Sequence, residues 1–546
     1  MVTNPPFENM SSISGNVPRS FNTSQRAPIG KIPTVTYSQS TETIPTRYYD
    51  SWRPPFSLLT RSNNENYSID DEIEAKISKI DQFMKDFNVK ANVANFESGP
   101  VVTRFDLNLE RGVSLKAISR LTEDLQRTLM TDKINILKSV AGTSFVGVEV
   151  PNDRRKMITL GDVVQSEEFA TSKAYLPMCM GVDTIGRPIV ADLASAPHLL
   201  IAGTTGSGKS AGLNSMLVSL LLSKSPADMR LIMIDPKTVE FTQYHSLPHL
   251  ICPIITDPLQ AVASVSWLIK EQERRYKLLS LLHVAKISQC NDLIRSENAQ
   301  GRKVYDPVWT ADMGGEPKEL KPLPYIVLVI DEFADLMAVS GSSGKKGDQS
   351  LDQMIGRLAG KARAAGIHII LATQTPRSEI VTGTIRANLP SRIAYTVQNG
   401  MESRIILDET GAENLLGNGD MMVKYQQLKN NQLFRAHGPY ASTDDVHAVV
   451  NSWIERAGDP EYIEDVTTLE DDEPDDLDDM PKDQELDRYF DLAVEHARMY
   501  CANTKKGISV TELQSELKVG FVRARNIHRQ LQQQGIIDSK GYLLWE

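Results

Sequence analysis

Cysteine is scarce in this chain. Cys179, Cys252, Cys290 and Cys501 are the only four in 546 residues, and they stand too far apart for a CxxC or a Cys/His ligand spacing. That sets aside a disulfide-stapled scaffold and a zinc site, and leaves four reduced thiols. Long apolar runs are missing too. None approaches the roughly 20 residues of a membrane-spanning helix, and the first residues have neither the basic region nor the apolar stretch of a secretory leader. The expectation is a soluble, cytoplasmic protein without membrane insertion. Positive charge is short overall, with a formal net charge of −11, which argues on its face against a nucleic-acid partner. The deficit is local, however. Glu461 to Asp487 holds 14 acidic residues against Lys482 alone, a net of −13, so the rest of the chain sums to +2. The final 59 residues carry 9 Lys/Arg against 6 Asp/Glu.

An apolar fraction of 41% supports real cores. Residues 1–68 are rich in Ser, Thr, Asn and Pro, with Pro5–Pro6 and Pro54–Pro55 pairs, and are expected to be a disordered polar arm. Helical spacing begins with Ile73, Ile77, Ile80, Met84 and Phe87. An alternating strand (Phe105, Leu107, Leu109), a second helix (Ile118, Leu121, Leu125, Leu129) and the strand Phe145 to Pro151 follow, which predicts a small α+β domain over 69–165. Over 166–440, the runs HLLIAG (from His198), LIMID (from Leu231), YIVLVIDE (from Tyr325), HIILATQ (from His368) and IAYTV (from Ile393) alternate with helical stretches. Continuous apolar runs between helices predict a buried, mostly parallel sheet. Residues 441–480, with EDDEPDDLDD from Glu470, read as an acidic linker, and 481–546 as a compact helical unit.

The chemistry is concentrated at GTTGSGKS, Gly203 to Ser210, which fits the pattern Gly-x-x-x-x-Gly-Lys-Ser/Thr between an apolar strand and a helix through Leu213, Met216, Leu217 and Leu220. Such a loop turns backbone N–H groups towards phosphates, and the helix N-terminus adds its dipole. The expected ATP-binding residues are Gly203, Thr204, Thr205, Gly206, Ser207, Gly208, Lys209, Ser210 and Ala211, with Lys209 on the β/γ-phosphates and Ser210 on Mg²⁺. IVLVIDE delivers Asp331 and Glu332 at a strand tip, Asp331 to hold Mg²⁺ and Glu332 to polarise the attacking water. LATQ places Thr373 and Gln374 at a third tip, where Gln374 would orient water or sense the γ-phosphate. Arg357, Arg363, Arg392 and Arg404 lie near element ends and are candidates for an arginine acting on a neighbouring subunit.

In the tail, Leu486, Phe490, Val494 and Ala497 mark one helix and Val510, Leu513 and Leu517 a second. A turn at Gly520 leads to VGFVRARNIHRQLQQQGIID, which has Ala524, Ile527 and Leu531 on its inner side, and YLLW follows as a wing. Helix, turn, helix and wing predict a DNA-binding winged helix, with Arg523, Asn526, Arg529 and Gln530 on the groove-facing side.

These stretches resemble the FtsK/SpoIIIE family of DNA translocases. The resemblance is carried by GPVVTRFDLNLERGV (from Gly99), GVEVPND (from Gly147), APHLLIAGTTGSGKS (from Ala196), MIDPK (from Met233), EQERRY (from Glu271), VIDEFADLM (from Val329), KARAAGIHIILATQTP (from Lys361) and GNGDMM (from Gly417). It implies an α/β fold: a RecA-like P-loop ATPase preceded by a small α+β (alpha-type) domain and followed by a winged-helix (gamma-type) domain. It also implies ATP and Mg²⁺ as cofactors, a homohexameric ring, and double-stranded DNA moved through its channel, as in chromosome partition. No recombinase or partition partner is identified. Two departures stand out. Division and sporulation members carry an N-terminal membrane domain where this sequence has the polar arm, and Val339 to Ser350 is a longer Gly/Ser/Lys loop in which Lys345 and Lys346 could meet phosphates. In the tail, where the family's γ domains typically have GYNRAARLIEQM, this chain has GFVRARNIHRQL: Arg523 is kept, but Val522, Asn526 and Arg529 differ, so the family's usual target sequence does not carry over. Other readings are an ATPase of this type driving protein export, and a DNA-binding regulator with a vestigial motor. The single P-loop opposes the first, and intact Lys209, Ser210, Asp331 and Glu332 oppose the second.

Overall fold

A helix with Ile73, Ile80, Phe83 and Met84 along one stripe must bury that stripe, and the chain provides a surface for it within the next 70 residues. The computed structural model describes residues 53–62, 70–131, 133–140, 142–309, 318–340, 350–426, 428–468, 489–504, 507–517, 521–538 and 541–544. Helix α1 (Asp70–Asp86) precedes β1 (Ala91–Ser98), β2 (Val102–Leu109), α2 (Leu115–Arg120), α3 (Thr122–Leu129), β3 (Asn135–Leu137) and β4 (Val146–Pro151). The four strands pair antiparallel in the order β1-β2-β4-β3. The α1 stripe packs with Phe105, Leu107, Ile118, Leu125, Val148 and Val150, each such side chain worth about 1.5–3 kcal/mol when fully buried.

The second and larger layer system is a nine-stranded sheet. It opens with α4 (Leu160–Val164), α5 (Glu167–Ala170), β5 (Pro177–Asp183), β6 (Pro188–Asp192), β7 (His198–Ala202), α6 (Lys209–Leu221) and β8 (Met229–Ile234). It continues through α7 (Pro258–Leu281), α8 (Ile287–Ala299), β9 (Tyr325–Ile330), α9 (Phe333–Ser340), α10 (Leu351–Ala365) and β10 (Ile367–Thr373). It closes with α11 (Gly383–Asn388), β11 (Ser391–Tyr395), α12 (Gly400–Leu407), β12 (Asp420–Lys424), β13 (Phe434–His437) and α13 (Thr443–Ala457). The strand order is β6-β5-β13-β12-β11-β7-β10-β9-β8.

Strands β11, β7, β10, β9 and β8 are parallel, as the apolar runs predict. The antiparallel side, β12, β13, β5 and β6, was not anticipated. Its strands β6 and β12 alternate buried with half-buried residues, so no continuous run announces them. The pleat sends alternate residues of the parallel strands to opposite faces. Leu199, Ile201, Leu231, Met233, Val327 and Val329 meet α6 and α13, whereas Leu200, Ala202, Ile232, Ile234, Leu328 and Ile330 meet α7 and α10. Asp257 caps α7 with Pro258 in its first turn, and Gly366 (φ 70°) ends α10 and turns the chain into β10.

Three sequence boundaries need correction. Most of the arm lies outside the described residues, but residues 53–62 are ordered against the motor. Leu59 sits in the core beside Leu160, Val163 and Val164, Phe56 meets Phe169 edge-on, and the Thr60 N–H donates to Asp445 at 2.7 Å. The Pro pair that suggested disorder introduces an apolar Phe-Ser-Leu-Leu segment with a surface to bury against. The small domain ends with its sheet at Pro151 rather than at 165, since α4 belongs to the larger core. The motor likewise continues past 440. Ser442 and Asp445 form a capping box, and Val446, Val449, Val450 and Trp453 seal α13 into the core. Beyond it, the Ile463 N–H donates to Ile251 O at 2.7 Å and Val466 is buried. This helix precedes the acidic run that begins at Glu461, and its own apolar stripe, not that charge, decides where the motor ends. The Glu470 to Asp479 run lies outside the described residues.

At the C-terminus, α14 (Phe490–Thr504), α15 (Val510–Leu517) and α16 (Phe521–Gln533) share a core of Phe490, Ala493, Ala497, Leu513, Ala524, Ile527, Leu531 and Ile537. Ile537 and Leu543 form an antiparallel bridge after α16.

Candidate nucleotide site

Three parallel strands end side by side: Ala202 of β7 pairs with Thr373 of β10, and Ile330 of β9 with Leu371. Whatever follows each tip is therefore brought to one edge of the sheet. After β7 the loop is tied down by the Thr204 N–H to Thr396 O (2.9 Å) and the Gly419 N–H to Ser207 O (2.9 Å). Gly206 (φ 77°) and Gly208 (φ 100°) take the left-handed conformations that bend it, and a Cβ on Gly208 would lie 2.3 Å from the Gly419 nitrogen. Helix α6 then starts at Lys209, so its N-terminal dipole faces the loop.

Lys209 is 3% exposed and donates to Asp331 Oδ1 at 2.7 Å and to the Asp331 carbonyl at 3.0 Å. Asp331 is 1% exposed, and its other oxygen, Oδ2, is buried without a hydrogen-bond partner among the described residues. Ser210 Oγ donates to Glu240 Oε1 at 2.7 Å. Glu332 is buried and accepts from Thr373 Oγ1 at 2.7 Å and from the Gln374 N–H at 3.0 Å. Thr205 Oγ1 donates to Gln374 Oε1 at 2.7 Å. Lys237 Nζ stands 3.5 Å from Glu332 and 3.4 Å from Asp335. Partial burial works against its charge, but the two carboxylates outweigh that and raise its pKa.

Chemically, the loop offers a lysine and the N-terminus of α6 to a polyphosphate. The Ser210 hydroxyl and the orphaned Asp331 oxygen suit a hard, oxygen-preferring cation such as Mg²⁺. Among the described residues no group of three His, Cys, Asp or Glu side chains could hold a metal by itself, so such a cation would depend on phosphate and water oxygens.

The sequence residues Lys209, Ser210, Asp331, Glu332 and Gln374 thus converge. Sequence reasoning gave no role to Lys237, Glu240 or the Asn418–Gly419 turn. The available signal was that MIDPK follows a parallel strand, so its sequel had to reach the same edge. Asp420, next to that turn, is gripped by Arg435 (2.9 and 2.6 Å), whose third contact is Glu149 of β4 at 2.7 Å. Lys133 Nζ donates to the Glu413 and Leu415 carbonyls at 3.1 and 2.6 Å. The small domain therefore holds the segment that rests on the phosphate-type loop.

Of the candidate arginines, Arg392 is buried and bound to Leu389 O, Ile406 O, Arg386 O and Asp408, which makes it a structural residue of its own chain. Arg357 pairs with Glu273 at 2.7 Å. Arg363 and Arg404 are exposed, the former at the opposite end of β10 from the loop. On α16, Arg529 is exposed and Gln530 half-buried, while the side chains of Arg523 and Asn526 lie outside the described residues. So do Lys345 and Lys346. All four cysteines are free thiols, and no described helix is long and apolar enough to cross a membrane.

Residues 159–378 match the FtsK/SpoIIIE family model, and residues 53–152 match the FtsK alpha domain. A DNA translocase FtsK of Haemophilus influenzae is 43% identical over 482 residues, covering 88% of this chain and 88% of that protein. One of Vibrio parahaemolyticus is 41% identical over 495 residues, covering 90% of this chain, and the chain spans 47% of that protein's length. Among solved structures, the pCW3 conjugation coupling protein TcpA, in monomer form with ATPγS, is 21% identical with a TM-score of 0.45, covering 70% of this chain and 99% of that one. The two matched families meet where the small sheet gives way to the nine-stranded one, and the identity to the translocases spans both, so the chain belongs to the FtsK/SpoIIIE family of P-loop ATPases.

Proposed function

We propose that this protein is an ATP-driven double-stranded DNA translocase that works as a homohexameric ring and pumps duplex DNA through its central channel. The observation that carries the reading is the buried Lys209–Asp331–Glu332 cluster at the tips of β7, β9 and β10, in a chain 43% identical to a DNA translocase. Gly203 to Ala211 wrap the triphosphate, at the N-terminus of α6. Lys209 leaves Asp331 for the β/γ-phosphates as nucleotide enters. Ser210 and Asp331 would hold Mg²⁺, which would supply positive charge to neutralise the phosphate oxygens. Glu332, oriented by Thr373 and the Gln374 N–H, polarises the attacking water. Gln374, tied to Thr205 of the loop, responds to the γ-phosphate.

The C-terminal unit acts as a winged helix of the gamma type for DNA loading or orientation. Support comes from its three-helix core, the Ile537–Leu543 bridge in the wing position and the exposed Arg529. Arg523, Asn526, Arg529 and Gln530 are its proposed DNA contacts. The test is ATP hydrolysis by the assembled protein with and without duplex DNA. Hydrolysis should rise with duplex and vanish in Lys209→Ala, and removing residues 481–546 should leave translocation intact while erasing any preferred loading site. A hydrolysis rate indifferent to duplex would refute the translocase reading.

A further inference from the structure

The loop after β8 is unusually constrained. Asp235, 1% exposed, accepts the N–H groups of Lys237 (3.1 Å), Val239 (2.9 Å), Glu240 (2.9 Å) and Phe241 (3.1 Å), and Phe241 is itself buried. Thr238, β-branched, is held at φ 56° inside it, a conformation that persists only where surrounding contacts impose it. The result of this winding is that the half-buried Glu240 carboxylate reaches across to α6 and accepts a hydrogen bond from the Ser210 hydroxyl at 2.7 Å.

A hydroxyl has one proton to donate and two lone pairs to offer. With the proton committed to Glu240, the lone pairs of Ser210 Oγ are the part left for a cation. A second, independent observation points to the same ligand: Asp331 Oδ2 is buried with no hydrogen-bond partner among the described residues. Buried carboxylate oxygens rarely remain unsatisfied unless an ion or water completes them.

The charge balance adds a third. Glu240, Asp331 and Glu332 border the loop, against Lys209, which is engaged by Asp331, and Lys237, which lies between Glu332 and Asp335. Among the described residues no basic side chain pairs with Glu240. A polyphosphate entering without a divalent cation would meet that carboxylate unshielded.

We propose that Glu240 is a further positioning residue of the nucleotide site, one that orients the Ser210 hydroxyl towards a divalent cation and makes nucleotide binding conditional on that cation. The inference rests on the ATP-site reading above and extends it to a residue outside the phosphate loop and the acidic strand tip.

The test is the equilibrium affinity of the full-length chain for a fluorescent ADP, measured in Mg²⁺ and again in EDTA. The parent should bind much more tightly in Mg²⁺. In Glu240→Gln the ratio of the two dissociation constants should fall about 10-fold or more, the size typical of losing an outer-sphere partner of a metal ligand. Both constants should contribute, with weaker binding in Mg²⁺ and tighter binding in EDTA. Glu240→Asp keeps the charge but shortens the reach, and should fall between. Thermal unfolding without nucleotide confirms that the variants are folded. If Glu240→Gln leaves the ratio unchanged, or shifts both constants by the same factor, Glu240 is only structural and the proposal is overturned. If the parent binds no nucleotide under either condition, the ATP-site reading fails instead.

Discussion

Replacing Lys209 by alanine should do more than prevent nucleotide binding; it should destabilise the nucleotide-free protein. Lys209 and Asp331 are 3% and 1% exposed and 2.7 Å apart, so truncating the lysine leaves a carboxylate buried without its counter-charge. Breaking a buried pair from one side costs about 3–5 kcal/mol, against a total of about 5–15 kcal/mol for a typical domain. Urea unfolding of the full-length chain in EDTA, followed by circular dichroism, measures the effect. Lys209→Ala should lose several kcal/mol at neutral pH, and adding Asp331→Asn should recover most of it while activity stays absent. A single variant within about 1 kcal/mol of the parent, or a double variant no more stable than the single, would refute the claim that the pair is a buried ionic contact.

Two further outcomes follow from the geometry. Gly208→Ala, with its Cβ forced against the Gly419 nitrogen at 2.3 Å, should abolish nucleotide binding, whereas a Cβ on Gly206 meets nothing within 4 Å. Gly206→Ala should therefore cost only the left-handed penalty of about 1–2 kcal/mol and retain binding, as read by thermal unfolding and nucleotide titration. Burial lowers the pKa of His198 and His437 to about 4 and of His368 to about 3. These groups are neutral in the fold but protonate near pH 6.5 when unfolded. Their contribution is complete above about pH 6.5 and is lost as pH falls towards 4, so the melting temperature should decline over that interval. His368→Gln should flatten the decline, and an unchanged slope would show that these rings do not govern it.

The five parallel strands could be read in advance because a strand buried on both faces needs uninterrupted apolar residues, and His198–Ala202 or Tyr325–Ile330 leaves no other arrangement. Helix α13 is marked by the spacing of Val446, Val449, Val450 and Trp453, which lies upstream of the acidic run that begins at Glu461, so charge carries no signal for it. Residues 53–62 carried too little apolar length to declare themselves and took their order from the surface they cover.

By itself the sequence determined the phosphate-type loop and the identity of its lysine, serine and acidic partners. Those features are set by contiguous residues: glycines at positive φ, an apolar strand before them, a helix after. Only the tertiary structure decided that Glu240 meets Ser210, and that Glu149 reaches the loop through Arg435, Asp420 and Gly419. Glu149 and Arg435 are 286 residues apart, and what brings them together is the placement of β12 and β13 beside β11 and the docking of a separate sheet against them. A local pattern fixes what the backbone does within a few residues, whereas the partner of a buried charge is chosen by strand order and domain packing.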